Sequence, residues 1–68
     1  MLVMPSTAIS AIYYDEQKLT LEIYFITGRI YRYLQVPAKV FTGMKKAISK
    51  GRYLNRYIKG FYDFEKIK

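Results

Sequence analysis

The sequence predicts an α+β domain: a three-stranded antiparallel β-meander followed by two short helices and an aromatic C-terminal segment. Three observations predict it. Residues 19–26 (LTLEIYFI) open with a strict alternation of apolar and polar side chains, the period of a half-buried strand. Gly28 separates that run from a second β-prone run, residues 29–36 (RIYRYLQV), as a hairpin turn would. Beyond Pro37 the apolar spacing lengthens to the helical period, in two blocks divided at Ser49.

The first strand is expected over Ala8–Tyr14 and ends at Asp15-Glu16-Gln17-Lys18, a turn by composition. In the second, Leu19, Leu21, Ile23 and Phe25 face one way, and Thr20, Glu22 and Tyr24 the other. A two-residue loop at Thr27-Gly28 fixes the pairing with the third strand. Ile26 then opposes Arg29, Phe25 Ile30, Tyr24 Tyr31, Ile23 Arg32, Glu22 Tyr33 and Leu21 Leu34. In that register one face carries Leu19, Leu21, Ile23, Phe25, Ile30, Leu34 and Val36, a core face with Arg32 as its one misfit. Arg32 either extends its head to the sheet edge or forms a buried ion pair with Asp63 or Glu65. The opposite face carries Tyr24, Tyr31 and Tyr33 with Arg29 and Glu22. The remaining chain suffices to cover one face, so the tyrosine face is expected to stand partly in water.

Pro37 opens the first helix, where its missing N–H and fixed φ cost nothing. Val40, Phe41, Met44, Ala47 and Ile48 form its apolar stripe, with Lys39, Lys45 and Lys46 outside it and Gly43 weakening its middle. Ser49 caps a second helix, Lys50–Lys59, which Gly60 terminates. On this wheel Tyr53, Leu54, Tyr57 and Ile58 point inward, and Arg52, Asn55, Arg56 and Lys59 outward. The tail Phe61-Tyr62-Asp63-Phe64-Glu65 alternates aromatic and polar residues, as a short edge strand or an extended segment packed on the core.

A chain of 68 residues makes one domain, burying only ~60% of its unfolded surface. It contains no cysteine and no histidine, and its five carboxylates, Asp15, Glu16, Glu22, Asp63 and Glu65, form no obvious acid/base pair. The expectation is therefore no enzyme, no cofactor and no metal. The net charge of +7 favours a polyanionic partner. No apolar run approaches the ~20 residues of a membrane helix, and Met1–Pro5 is too short for a signal peptide. A cytoplasmic protein without membrane attachment is expected.

Tyrosine and arginine interleave twice, in Gly28–Tyr33 (GRIYRY) and in residues 50–62 (KGRYLNRYIKGFY). Tyrosine offers a π-face and arginine a planar cation that binds phosphate bidentately, the two groups that hold unpaired bases and their backbone. Tyr24, Tyr31 and Tyr33 beside Arg29 read as a stacking platform. The alternatives are cross-strand pairs that only stabilise the sheet, or a homodimer interface on the same face. Ser49-Lys50-Gly51-Arg52 reads either as an anion site at a helix start or as a simple cap followed by solvated charges. It lacks the spacing of a P-loop. Arg56 and Lys59 extend it into a basic stripe that no acidic residue interrupts, and Asn55 on the same face reaches a base or a neighbouring backbone group.

The order Ser-x-x-Ile, strand, Gly-Arg-x-Tyr-x-Tyr, Val-Pro and Ser-Lys-Gly-Arg-Tyr-x-Asn-Arg resembles the KTSC domain. That module is named for its occurrence at the C-terminus of some lysyl-tRNA synthetases, and it also occurs as small stand-alone bacterial and phage proteins. The resemblance runs from Ser6 or Ser10 to Ile67, with its Tyr-x-Tyr on Tyr31 and Tyr33 and its second signature on Ser49–Arg56. It implies a single domain over residues 1–68 in the stand-alone form, and for the family RNA binding is only a suggested role. The residues favour a non-catalytic nucleic-acid-binding module, RNA before duplex DNA. In it Lys50, Arg52, Arg56 and Lys59 contact phosphates, and Tyr24, Tyr31 and Tyr33 contact bases, beside Arg29 and Asn55. The competing expectation is a protein-interaction module, phage-derived, that docks on an acidic partner protein.

Overall fold

Two hairpins, two helical turns and a returning edge strand make up the chain in a computed structural model that describes residues 9–68. The expected strand start at Ala8, the segment Met1–Pro5 and the motif serine Ser6 lie outside the described residues. Strands β1 (Ile9–Asp15), β2 (Thr20–Phe25) and β3 (Ile30–Tyr33) form the expected antiparallel meander. The tail adds a fourth strand, β4 (Phe64–Lys66), antiparallel to β3 at the sheet edge, so the order is β1-β2-β3-β4. Between β3 and β4 lie helix α1 (Ala38–Lys46) and helix α2 (Lys50–Tyr53), which runs on as a π-helical segment, Leu54–Ile58. The architecture is α+β, with both helices against one face of the sheet.

The β2–β3 register differs from the expected one by a single residue. Leu21 opposes Tyr33, Glu22 Arg32, Ile23 Tyr31 and Tyr24 Ile30. The turn is the cause. Gly28 N–H bonds to Phe25 O at 2.9 Å and Phe25 N–H to Arg29 O at 2.9 Å, so the loop is Ile26-Thr27-Gly28, closed by Gly28 at φ 96°. A two-residue loop at Thr27-Gly28 needs a positive φ at its first position. Thr27 is β-branched and resists it. The three-residue turn moves the one left-handed residue onto glycine.

Because side chains alternate along a strand, that slip reverses every assignment on β3. Tyr31 and Tyr33 join Leu21 and Ile23 on the inner face, and Tyr33 is 3% exposed. Ile30, Arg32 and Leu34 move away from the core. Burial lifts the Tyr33 hydroxyl pKa above its ordinary value. The core is Leu21, Ile23, Tyr33, Val36, Met44, Leu54 and Ile58, flanked by Ile12, Tyr14, Val40, Phe41 and Tyr53. Tyr14 stacks on Phe41 with ring centroids 4.8 Å apart and donates its hydroxyl to Val36 O at 2.6 Å, joining β1 to the start of α1.

Leu19, expected in the core, instead sits in the β1–β2 turn at φ 56° and is 42% exposed. Asp15 Oδ1 accepts from Gln17 N–H and Lys18 N–H there, an Asx turn that commits four residues to the loop. Helix α1 ends at Lys46, with Ala47 already extended, so Ile48 leaves the apolar stripe and is fully exposed. Gly43 has a use that the helical wheel does not show. A Cβ there would fall on the Tyr53 hydroxyl and lie 2.9 Å from its Cζ, so the glycine is where α2 lies against α1.

Candidate functional site

Ser49 caps α2: its Oγ accepts from Arg52 N–H at 3.3 Å, and Tyr53 N–H bonds to Ser49 O at 3.1 Å. Lys50 is half-buried and donates from Nζ to Lys45 O and Ala47 O, each at 3.4 Å, at the carbonyl end of α1. Ser49 thus serves as a cap and Lys50 is engaged at the helix junction, while the Arg52 side chain stands exposed.

From Leu54 the backbone widens into i→i+5 pairing, and Lys59 N–H bonds to Leu54 O at 2.7 Å. Leu54 and Ile58 stay in the core. Tyr57, three residues after Leu54, falls further from it than in an α-helix and stands 53% exposed, its ring centroid 4.8 Å from that of Tyr53. Tyr57 was expected inward, and the π turn carries it out. On the same outward surface Arg52, Asn55, Arg56 and Lys59 are all exposed. Among the described residues none of these three cations has a carboxylate partner; the ion pairs there are those of Arg32.

The outer face of the sheet is a charge network rather than an aromatic platform. Glu22 Oε2 pairs with the Arg32 guanidinium at 2.9 Å, Glu22 Oε1 accepts from the Tyr24 hydroxyl at 2.8 Å, and Glu65 Oε1 meets Arg32 at 3.3 Å. The Tyr24 and Arg32 hydrogen bonds hold the Glu22 carboxyl below its ordinary pKa, and the same bond raises that of the Tyr24 hydroxyl. The pairing of Arg32 with Glu65 had been one expected alternative, and it forms in this open setting instead of a buried one. With Tyr33 buried, Tyr31 inside the sheet and Tyr24 bound to Glu22, the expected three-tyrosine face is not formed. A homodimer through that face loses its surface with it. Arg29 is exposed in the β2–β3 turn, on a different element from the helix cations.

A family model described as the KTSC domain matches residues 5–62. The chain belongs to the KTSC family. A crystal structure of a KTSC domain protein from Yersinia pestis matches it with a TM-score of 0.82 at 39% identity, covering 88% of this chain and 84% of that one. A lysine–tRNA ligase of Nostoc punctiforme is 39% identical over 54 residues, 79% of this chain and 10% of the ligase. An uncharacterized protein of Stutzerimonas stutzeri is 34% identical over 56 residues, 82% of this chain and 79% of that protein. The chain thus spans about a tenth of the ligase it resembles and most of the Stutzerimonas stutzeri and Yersinia pestis proteins.

Within this KTSC domain the exposed aromatic residues are Tyr13 on β1 and, clustered in the C-terminal part, Tyr57, expected inward, with Phe61 and Phe64 of the tail, whose expected edge strand forms as β4. The one sequence signal was the pair Gly60-Phe61: an aromatic directly after a helix stop has no helical face to hide on. Among the described residues no helix is long and apolar enough to cross a membrane, and no group of His, Cys, Asp and Glu is arranged to hold a metal.

Proposed function

We propose that this KTSC domain is a non-catalytic nucleic-acid-binding module, with RNA favoured, that binds through the outward face of its second helix. One observation carries the reading. Leu54 and Ile58 anchor that helix in the core, which leaves Arg52, Asn55, Arg56 and Lys59 exposed in one run with no carboxylate partner among the described residues. Unpaired cations on a rigid element suit a polyanion, because they lose little and release counterions on binding. Lys50 supports the junction of the helices, and Arg29 adds charge at the hairpin. RNA is preferred because the relatives include lysine–tRNA ligases and because no recognition-helix pair for duplex DNA is evident. The chain carries neither cysteine nor histidine, which leaves it without a thiolate nucleophile and without the usual neutral-pH proton shuttle.

Fluorescence anisotropy with labelled single-stranded and hairpin RNA at low salt tests this. Binding that weakens steeply with salt is expected, and no binding to either RNA refutes it. A second reading, docking on an acidic protein in a cytoplasmic host, draws on Ile48, which is fully exposed beyond Lys45 and Lys46. One stoichiometric protein partner that survives nuclease treatment would favour that reading instead.

A further inference from the structure

Where the second helix ends, Gly60 takes φ 87° and Phe61 N–H bonds to Ile58 O at 3.0 Å, which turns the chain outward before it returns as β4. Residues Gly60–Phe64 line an open concavity of about 450 Å³. Two of its walls are phenylalanine rings left in solvent, Phe61 at 70% and Phe64 at 56% exposure. Phe64 is held from behind by Tyr31 and Tyr33, with ring centroids at 5.4 and 5.6 Å. Among the described residues Phe61 has no such ring partner. Two exposed rings on one concavity offer flat π-surface to a planar ligand.

The charges around the concavity identify its occupant. Lys59 precedes it in the chain, and Glu65, paired with Arg32, and Lys66 follow it, while Asp63 lines it. A carboxylate at that point repels a phosphate, yet it accepts well from the exocyclic amino group of a base. The phosphate-binding cations stand on the helix just before it. We propose that the concavity between Phe61 and Phe64 holds one unpaired nucleobase, stacked on an exposed ring, while Arg52, Arg56 and Lys59 hold the flanking phosphates. The inference rests on the nucleic-acid reading above and sharpens its substrate to single strands, since a paired base must leave its stack to enter.

Phe61 is the residue to test, because its ring supports no part of the core. Phe61→Ala should weaken binding of a labelled oligo(rC) roughly 5- to 150-fold, the value of one stacked base. Its affinity for a blunt RNA duplex and its thermal melt should stay unchanged. Phe61→Trp should retain binding, and as the sole tryptophan in a chain that has none it should be quenched by oligo(rC). Undiminished oligo(rC) binding by Phe61→Ala, or Phe61→Trp emission indifferent to it, overturns the base site while leaving the basic face intact. A parent protein that binds neither RNA, or binds only polyglutamate, overturns both the base site and the reading beneath it.

Discussion

Gly43→Ala is the substitution for which local propensity and packing disagree most sharply. Alanine in place of glycine inside α1 should stabilise the helix by about 0.5–1 kcal/mol. The added Cβ, however, would land on the Tyr53 hydroxyl and 2.9 Å from Tyr53 Cζ, with Cε2 at 3.2 Å. Three atoms of one rigid ring cannot be cleared by a terminal rotation; the whole tyrosine must swing or α2 must lift. Overpacking of this kind costs about 1–3 kcal/mol. At the middle of each range the packing term wins, with a net loss of about 1 kcal/mol after the helical gain is subtracted. For a domain of this size that lowers Tm by roughly 4–8 °C. Thermal melts followed by circular dichroism measure it. The cycle is completed in a Tyr53→Ala background, which is itself less stable, but in which Gly43→Ala should now raise Tm by a few degrees. A sign reversal between the two backgrounds isolates the contact. If Gly43→Ala raises Tm in the parent chain, the account of the helix junction is wrong.

Three further outcomes follow from the same geometry. Replacing Arg52, Arg56 and Lys59 together by glutamine should reduce the slope of log affinity against log salt by about 2, at ~0.7 per single-strand phosphate contact; an unchanged slope on oligo(rC) would place binding elsewhere. The Glu22 carboxyl is held below its ordinary pKa, so its contribution to stability is complete above its unfolded value near 4.5 and is lost as pH falls through the lower folded value. Glu22→Gln should accordingly be less stable than the parent at neutral pH and lose less on acidification, and parallel urea-midpoint curves for the two proteins below pH 4.5 would contradict it. Leu19→Gly should be neutral or raise stability by up to about 1 kcal/mol, because relief of the left-handed strain at φ 56° offsets the entropy of glycine; a clear fall in Tm would show that the exposed leucine packs in solution.

The strands and helices were legible because each rests on a local period. Thr20–Phe25 alternates, Ala38–Lys46 and Leu54–Ile58 place Met44, Leu54 and Ile58 on core-facing stripes, and Ser49 and Gly60 mark the ends of the second helix. The β2–β3 register was not legible from alternation, because two sets of side chains fitted it. Aliphatic residues filled one face of β3 in one register, and tyrosines with a cross-strand ion pair completed it in the other. The turn chose between them. Thr27 cannot take the left-handed position cheaply, so the loop grew by one residue, Glu22 came opposite Arg32, and the misfit charge of the expected core face found its partner. Ile48 escaped for a similar reason: the wheel assumed a helix continuing through Ala47, and nothing in the sequence marks the extended turn there.

The candidate site was half legible, and the same slip explains which half. Arg52, Asn55, Arg56 and Lys59 depend only on the helical face opposite Leu54 and Ile58, and that face survives the change from α to π winding. Tyr31 and Tyr33 depended on register and moved inward. Their inward rings now back Phe64 at the sheet edge, so the aromatic surface did not vanish but shifted from the sheet's outer face to the tail. The charges sorted in the same way. Glu22 and Glu65 neutralise Arg32 on the outer sheet face, and from Tyr24 to Tyr62 the chain carries no carboxylate at all. The helix therefore holds cations with no internal competitor, next to the two most accessible phenylalanines. On the proposed reading, a polyanion drawn in by net charge would meet unpaired cations there beside exposed rings, and a single strand would meet them with its bases free.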